Sequence, residues 1–199
     1  MSNDLGAPRP LTELEAVNLI LRAQGERPTN TLGPGSTVEG IKATEVLQDR
    51  VSKVLSEGYN FNTVEKMVLK VSTNGEVTVP SNVMSMYPTG KSRNCLLVNM
   101  GGRIFDREKG TFKIHKDVEI AAALSFPFDD LPQPVKWYVS IMAAMESSNN
   151  DHPGDAGLRI TAREAEQAKV ALEQFDSRLD KASMKDTNPH FMQMRGGRR

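Results

Sequence analysis

The chain has 199 residues, 38% hydrophobic and 25% charged, with 25 Lys plus Arg balanced by 25 Asp plus Glu. That length holds one sizeable core, burying roughly 70% of the unfolded surface, or two small domains sharing an interface. The mix excludes a disordered chain, and a formal charge of zero disfavours a general nucleic-acid coat while leaving room for a short basic patch. The lone Cys95 excludes an internal disulfide and a multi-cysteine metal site, as suits a chain made in a reducing cytosol. Met1 to Pro10 is polar and proline-bearing, unlike a secretory signal. No segment approaches the ~20 apolar residues that span a bilayer, so no membrane insertion is expected.

In chain order, the first helix starts at Thr12 as N-cap, with Glu15 completing a capping box worth on the order of 1 kcal/mol. Leu14, Val17, Ile20 and Leu21 share a face, Gly25 stops the helix and Pro28 prevents its restart. Ser36 with Glu39 reads as a second capping box, and Val38, Ile41, Leu47, Val51, Val54 and Leu55 form a stripe that ends at Gly58. From Thr63 to Phe126 the pattern turns to strands. Met67 to Val71 is one, and Asn74-Gly75 turns it back into Glu76 to Val79, closed by Pro80. Cys95 to Val98 reads as a buried strand, Gly101-Gly102 turns into Arg103 to Asp106, and Lys109-Gly110 turns into Thr111 to Ile114. Val118 to Ala123 is a further strand. The third helix follows Asp129-Asp130, with Pro132 and Pro134 in a first turn that lacks amide partners anyway. Val135, Tyr138, Val139, Met142 and Met145 are expected to line its face. The fourth starts at Thr161 with Glu164, and Ala168, Leu172, Phe175, Leu179 and Ala182 recur at three- and four-residue steps.

Helices at both ends and strands between them predict an α+β fold: a discontinuous four-helix bundle with an inserted antiparallel β module and an extended C-terminal tail. The expected division is a helical domain over 1–62 plus 127–184, a β domain over 63–126 and a docking tail over 185–199. In that tail Asn188-Pro189 breaks the helix, leaving Phe191, Met192 and Met194 among Arg195, Arg198 and Arg199. Three apolar side chains return ~1.5–3 kcal/mol each, less than the ordering entropy of ~1–2 kcal/mol per residue over the segment. The tail is therefore a candidate anchor on another surface, with phosphate contact through its arginines as the second reading.

Candidate chemistry is sparse. Gly90-Lys91-Ser92 matches the end of a P-loop, but Ser85 stands where the earlier glycine belongs and a strand follows instead of a helix. His115, His152 and His190 lie in unrelated segments without metal spacing. Ser36 is not in a nucleophile elbow, and its cap role accounts for it. Asp129-Asp130 and Asp151/Asp155 are the carboxylates available to a glycan hydrolase, against the commoner reading of helix caps.

Several runs resemble the tail tubular protein A family of short-tailed bacteriophages. They are Ala16-Val-Asn-Leu-Ile-Leu21, Gly25-Glu-Arg-Pro28 and Thr31-Leu32, then Gly58-Tyr59-Asn60-Phe61-Asn62, where the family has Trp at the second place. Gly101-Gly102-Arg103-Ile104-Phe105-Asp106-Arg107 and Asp130-Leu131-Pro132 to Tyr138 follow in the family's order. The fourth helix matches in character only, and the tail does not match. The resemblance implies a virion tail protein made in the bacterial host cytoplasm, without cofactor, metal or catalytic residue. It implies a self-associated, dodecameric ring that joins the portal protein to the tail nozzle (tail tubular protein B), beside tail fibres, with genomic DNA passing through the lumen unread. Met84, Met86, Met142 and Met145 are residues that suit adaptable interfaces as well as cores. The alternatives are a tail-associated glycan hydrolase and a DNA-binding accessory factor.

Overall fold

The computed structural model describes residues 11–151 and 162–187, with side chains at 11–148 and 162–180. Helices α1 (Glu13–Ala23) and α2 (Val38–Glu57) come first. Strands β1 (Thr63–Leu69), β2 (Val83–Pro88), β3 (Leu97–Met100), β4 (Arg103–Asp106) and β5 (Val118–Leu124) follow, then α3 (Gln133–Asp151) and α4 (Ala162–Thr187). The fold is α+β with antiparallel pairing throughout. Two compact units divide the chain: Met1–Val51 with Pro127–Phe175, and Ser52–Phe126 with Asp176–Arg199.

In the first unit α1 is capped as expected. Thr12 Oγ1 accepts from the Glu15 amide at 3.3 Å while the Glu15 carboxylate accepts from the Thr12 amide at 2.9 Å. Gly25, at φ +79°, closes the far end. The Glu26 amide reaches back to the Leu21 carbonyl and the Gly25 amide to that of Arg22, which satisfies carbonyls the helix leaves open. Ala16, Val17, Ile20 and Leu21 are buried, and α1 packs on α3. Leu14, expected on that face, is half-buried.

Two sequence expectations about α2 need correction. Its cap is Thr37, whose Oγ1 accepts from the Gly40 amide at 3.1 Å; Ser36 Oγ instead lies 3.3 Å from Thr29 Oγ1. The buried stripe starts at Gly40 and Ala43, not at Val38 and Ile41, which are 63% and 42% exposed. Ser36 would have needed Glu39 at the third helical position, but with the helix starting at Val38 that position belongs to Gly40.

α3 buries Val135, Val139, Ser140, Ala143, Ala144 and Ser147, while Tyr138, Met142 and Met145 are half-buried. The buried face mixes small residues with Val135, Val139, Ile141 and Lys136, and Tyr138, Met142 and Met145 flank it. On α4, Ala168 and Leu172 are buried, Phe175 is half-buried and Leu179 is exposed, so among the described residues the expected stripe is covered from Ala168 to Phe175; the Ala182 side chain lies outside them. Thr161 lies outside the described residues.

The second unit is built on a three-stranded sheet of order β1-β5-β2 and a hairpin of β3 with β4. Its core is Leu69, Val77, Val79, Val83, Leu97, Ile104, Val118, Ile120 and Ala122. β2 was not expected from the sequence: two methionines and a serine dilute its β propensity, and pairing with β5 supplies what propensity does not. The expected returns over Glu76 to Val79 and Thr111 to Ile114 form isolated bridges rather than strands, Val71 with Val77, Glu76 with Lys113, Thr78 with Arg103 and Asp106 with Thr111. Cys95 and Leu96 precede β3 instead of belonging to it.

Candidate functional site

The strongest sequence lookalike for a reacting site is filled by the protein itself. Gly90–Ser92 is a single 3-10 turn, and the Lys91 amide donates to Glu119 Oε2 at 3.2 Å. A Cβ on Gly90 would lie 1.8 Å from that oxygen. A carboxylate thus occupies the place where a P-loop would hold phosphate, and a second anion there would be repelled. Ser92 Oγ accepts from the Glu119 amide at 3.1 Å, so the serine fixes β5.

Asp129 is also engaged in structure. Asp129 Oδ1 accepts from the Glu13 amide at 3.1 Å at the start of α1, and its carbonyl accepts from Lys136 Nζ at 2.8 Å. Lys136 is buried, with its ammonium 5.7 Å from the Phe128 ring centroid. Asp130 is exposed. Asp155, His152 and His190 lie outside the described residues, as does the Asp151 side chain. His115 is exposed in a loop at φ +56°. Among the described residues no three His, Cys, Asp or Glu side chains converge as metal ligands, and no helix is long and apolar enough to cross a membrane.

The motif residues hold turns and junctions. Asn18 pairs both ways with Thr29, accepting from its amide at 2.8 Å and donating to its carbonyl at 3.0 Å. Asn62 is buried and fully used: Nδ2 donates to the carbonyls of Leu55 and Leu124 at 2.8 and 2.9 Å, and Oδ1 accepts from the Tyr59 amide at 2.9 Å. Gly101 and Gly102, at φ +59° and +75°, make the two-residue β3–β4 turn that only glycine adopts without strain. Asp106 Oδ1 accepts from the Glu108 and Lys109 amides at 3.0 and 3.1 Å, ordering the next loop.

Among the described side chains the first unit carries seven basic and twelve acidic residues, net −5, and the second eleven and nine, net +2. The zero sum conceals this division. In the second unit the Arg107 amide donates to the Leu96 carbonyl at 2.8 Å, and Lys116 Nζ lies 3.6 Å from Cys95 Sγ. Exposed Arg93, Arg107 and Lys116 thus lie near Leu96, itself 56% exposed. In the first unit the Leu11 amide donates to Gln133 Oε1 at 2.9 Å, and with the Glu13–Asp129 bond this joins the starts of α1 and α3. Exposed Asp129 and Asp130 gather there with the acidic first turn of α1, one helical turn from Trp137, which is 43% exposed. Phe191, Met192, Met194, Arg195, Arg198 and Arg199, the candidate anchor, lie outside the described residues.

Comparison with known proteins gives these surfaces a context. The family model described as tail tubular protein matches residues 14–182. Over 159 residues the chain is 27% identical to tail tubular protein A of Klebsiella phage KP34, covering 80% of this chain and 83% of that relative.

Proposed function

The chain belongs to the tail tubular protein family, a structural component of the phage tail and not an enzyme, and from that membership we propose that it is the adaptor ring between portal and tail nozzle. Copies would close head-to-tail around the channel through which the genome leaves. The observation that carries this reading is the family match running through both units, from residue 14 to residue 182. A ring of identical subunits requires two different, complementary faces on each copy. Capped helices, an engaged Asp129 and a P-loop lookalike filled by Glu119 agree with a part that works through contacts.

The C-terminal segment is the proposed portal anchor. Phe191, Met192 and Met194 would bury apolar surface while Arg195, Arg198 and Arg199 pair with acidic groups. A chain ending at Thr187 should fold normally yet fail to attach to portal-bearing heads. Binding of purified heads, followed by sedimentation, tests this directly, and attachment of the shortened chain would remove the anchor from the reading. Heads that acquire nozzle and retain DNA without this protein would remove the adaptor role itself.

A further inference from the structure

We propose that the basic face around Leu96 in one copy docks on the acidic end of the α1–α3 pair in a second copy. This rests on the ring reading above and names the two surfaces that meet. Three observations carry it. Among the described side chains the units hold opposite net charges, −5 and +2, so a head-to-tail contact brings unlike charge together where a head-to-head contact would not. An exposed apolar residue lies in the same stretch of chain as each face, Leu96 three residues from Arg93 and Trp137 in the second turn of α3. Trp and Arg are the residue types that most often dominate protein interfaces, and a guanidinium on an indole face adds attraction of its own. The two faces differ from each other, which is what a closing, heterologous contact demands.

Duplex DNA is the other polyanion a basic face could meet. The exposed Leu96 among the cations favours a protein partner, because phosphate recognition has no use for an aliphatic side chain.

The test uses the full chain and its mass in solution, by sedimentation at low and high salt. Arg93→Glu with Arg107→Glu reverses one face, and Glu13→Lys with Asp130→Lys reverses the other. Wild type should self-associate, and each reversed protein alone should lose the oligomer. An equal mixture of the two should regain it, since native acid then meets native base and reversed meets reversed. Circular dichroism melts check folding; if Arg93 and Arg107 prove structural, Lys116→Glu places an acid on the same face. Wild-type assembly that neither reversal disturbs, or a mixture of folded variants that stays dissociated, overturns the docking while the ring stands. A wild type that remains monomeric at every concentration overturns both. Loss of duplex-DNA binding in the Arg93/Arg107 variant, with self-association intact, gives the face to nucleic acid.

Discussion

Asn62 shows how a residue that looks like one more loop asparagine comes to hold a unit together. Its amide group joins the last turn of α2, the following turn and the end of β5. Asn62→Ala leaves two buried carbonyls and an amide without that partner, a loss of about 2–4 kcal/mol. Urea unfolding should show a lower midpoint with an unchanged slope. Gly75 is constrained for a different reason. It sits at φ +80°, and an added Cβ would lie 2.5 Å from His115 Nδ1. Gly75→Ala should cost about 1–3 kcal/mol, through backbone strain and displacement of the ring, read from the same unfolding curve. Asp117 is held below its usual carboxylate range by the Lys70 ammonium, at 2.7 Å, and by the Val71 amide. A depressed acid stabilises the fold above its unfolded pKa and loses that contribution as pH falls through its folded one. Asp117→Asn should therefore flatten the acid limb of stability below about pH 4, measured as melting temperature against pH. At this scale the sequence displayed the Thr12–Glu15 box because both partners lie three residues apart. It could not display the Asn62 junction, whose Leu124 partner is 62 residues away.

Among the elements, the cap of α2 separates two readings that differ by one residue. Thr37→Ala removes the hydroxyl that serves the Gly40 amide and should cost about 1 kcal/mol. Ser36→Ala, on the sequence expectation the damaging change, should cost less. Thermal melts of both variants decide it. The helices were legible because their apolar spacing and caps are local signals. The strands were legible only where local pattern and partner agreed: β4 and β5 lie where expected, whereas β2 exists because β5 offers it an edge. Glu76 to Val79 has the pattern of a strand but finds partners in three different segments, one bridge at a time. The stripe of α4 was read correctly in period and overstated in extent, since periodicity tells which residues share a face and not how far that face is covered.

For the whole molecule, family membership was legible in short runs that now have physical reasons: Asn18 clamps Thr29, Gly101-Gly102 makes a tight turn and Asp106 orders a loop. The charge division was not legible, because a zero sum gives no sign of where the charges lie and the unit boundaries cut through α2 and α4. It has a consequence in solution. Screening shortens the reach of charge from about 10 Å at 0.1 M salt to about 3 Å at 1 M. Self-association should weaken across that range, as sedimentation at fixed protein concentration would register.

The strand order β1-β5-β2 also bears on how the protein is made. The strand at the middle of the sheet is the last of the five to leave the ribosome, and Thr63 waits for Ala123 before it has a neighbour. Until then β1 and β2 are two unjoined edges with no surface to share. A nascent chain arrested before Val118 should therefore resist protease poorly across this region, and release of some seven further residues should close both seams at once.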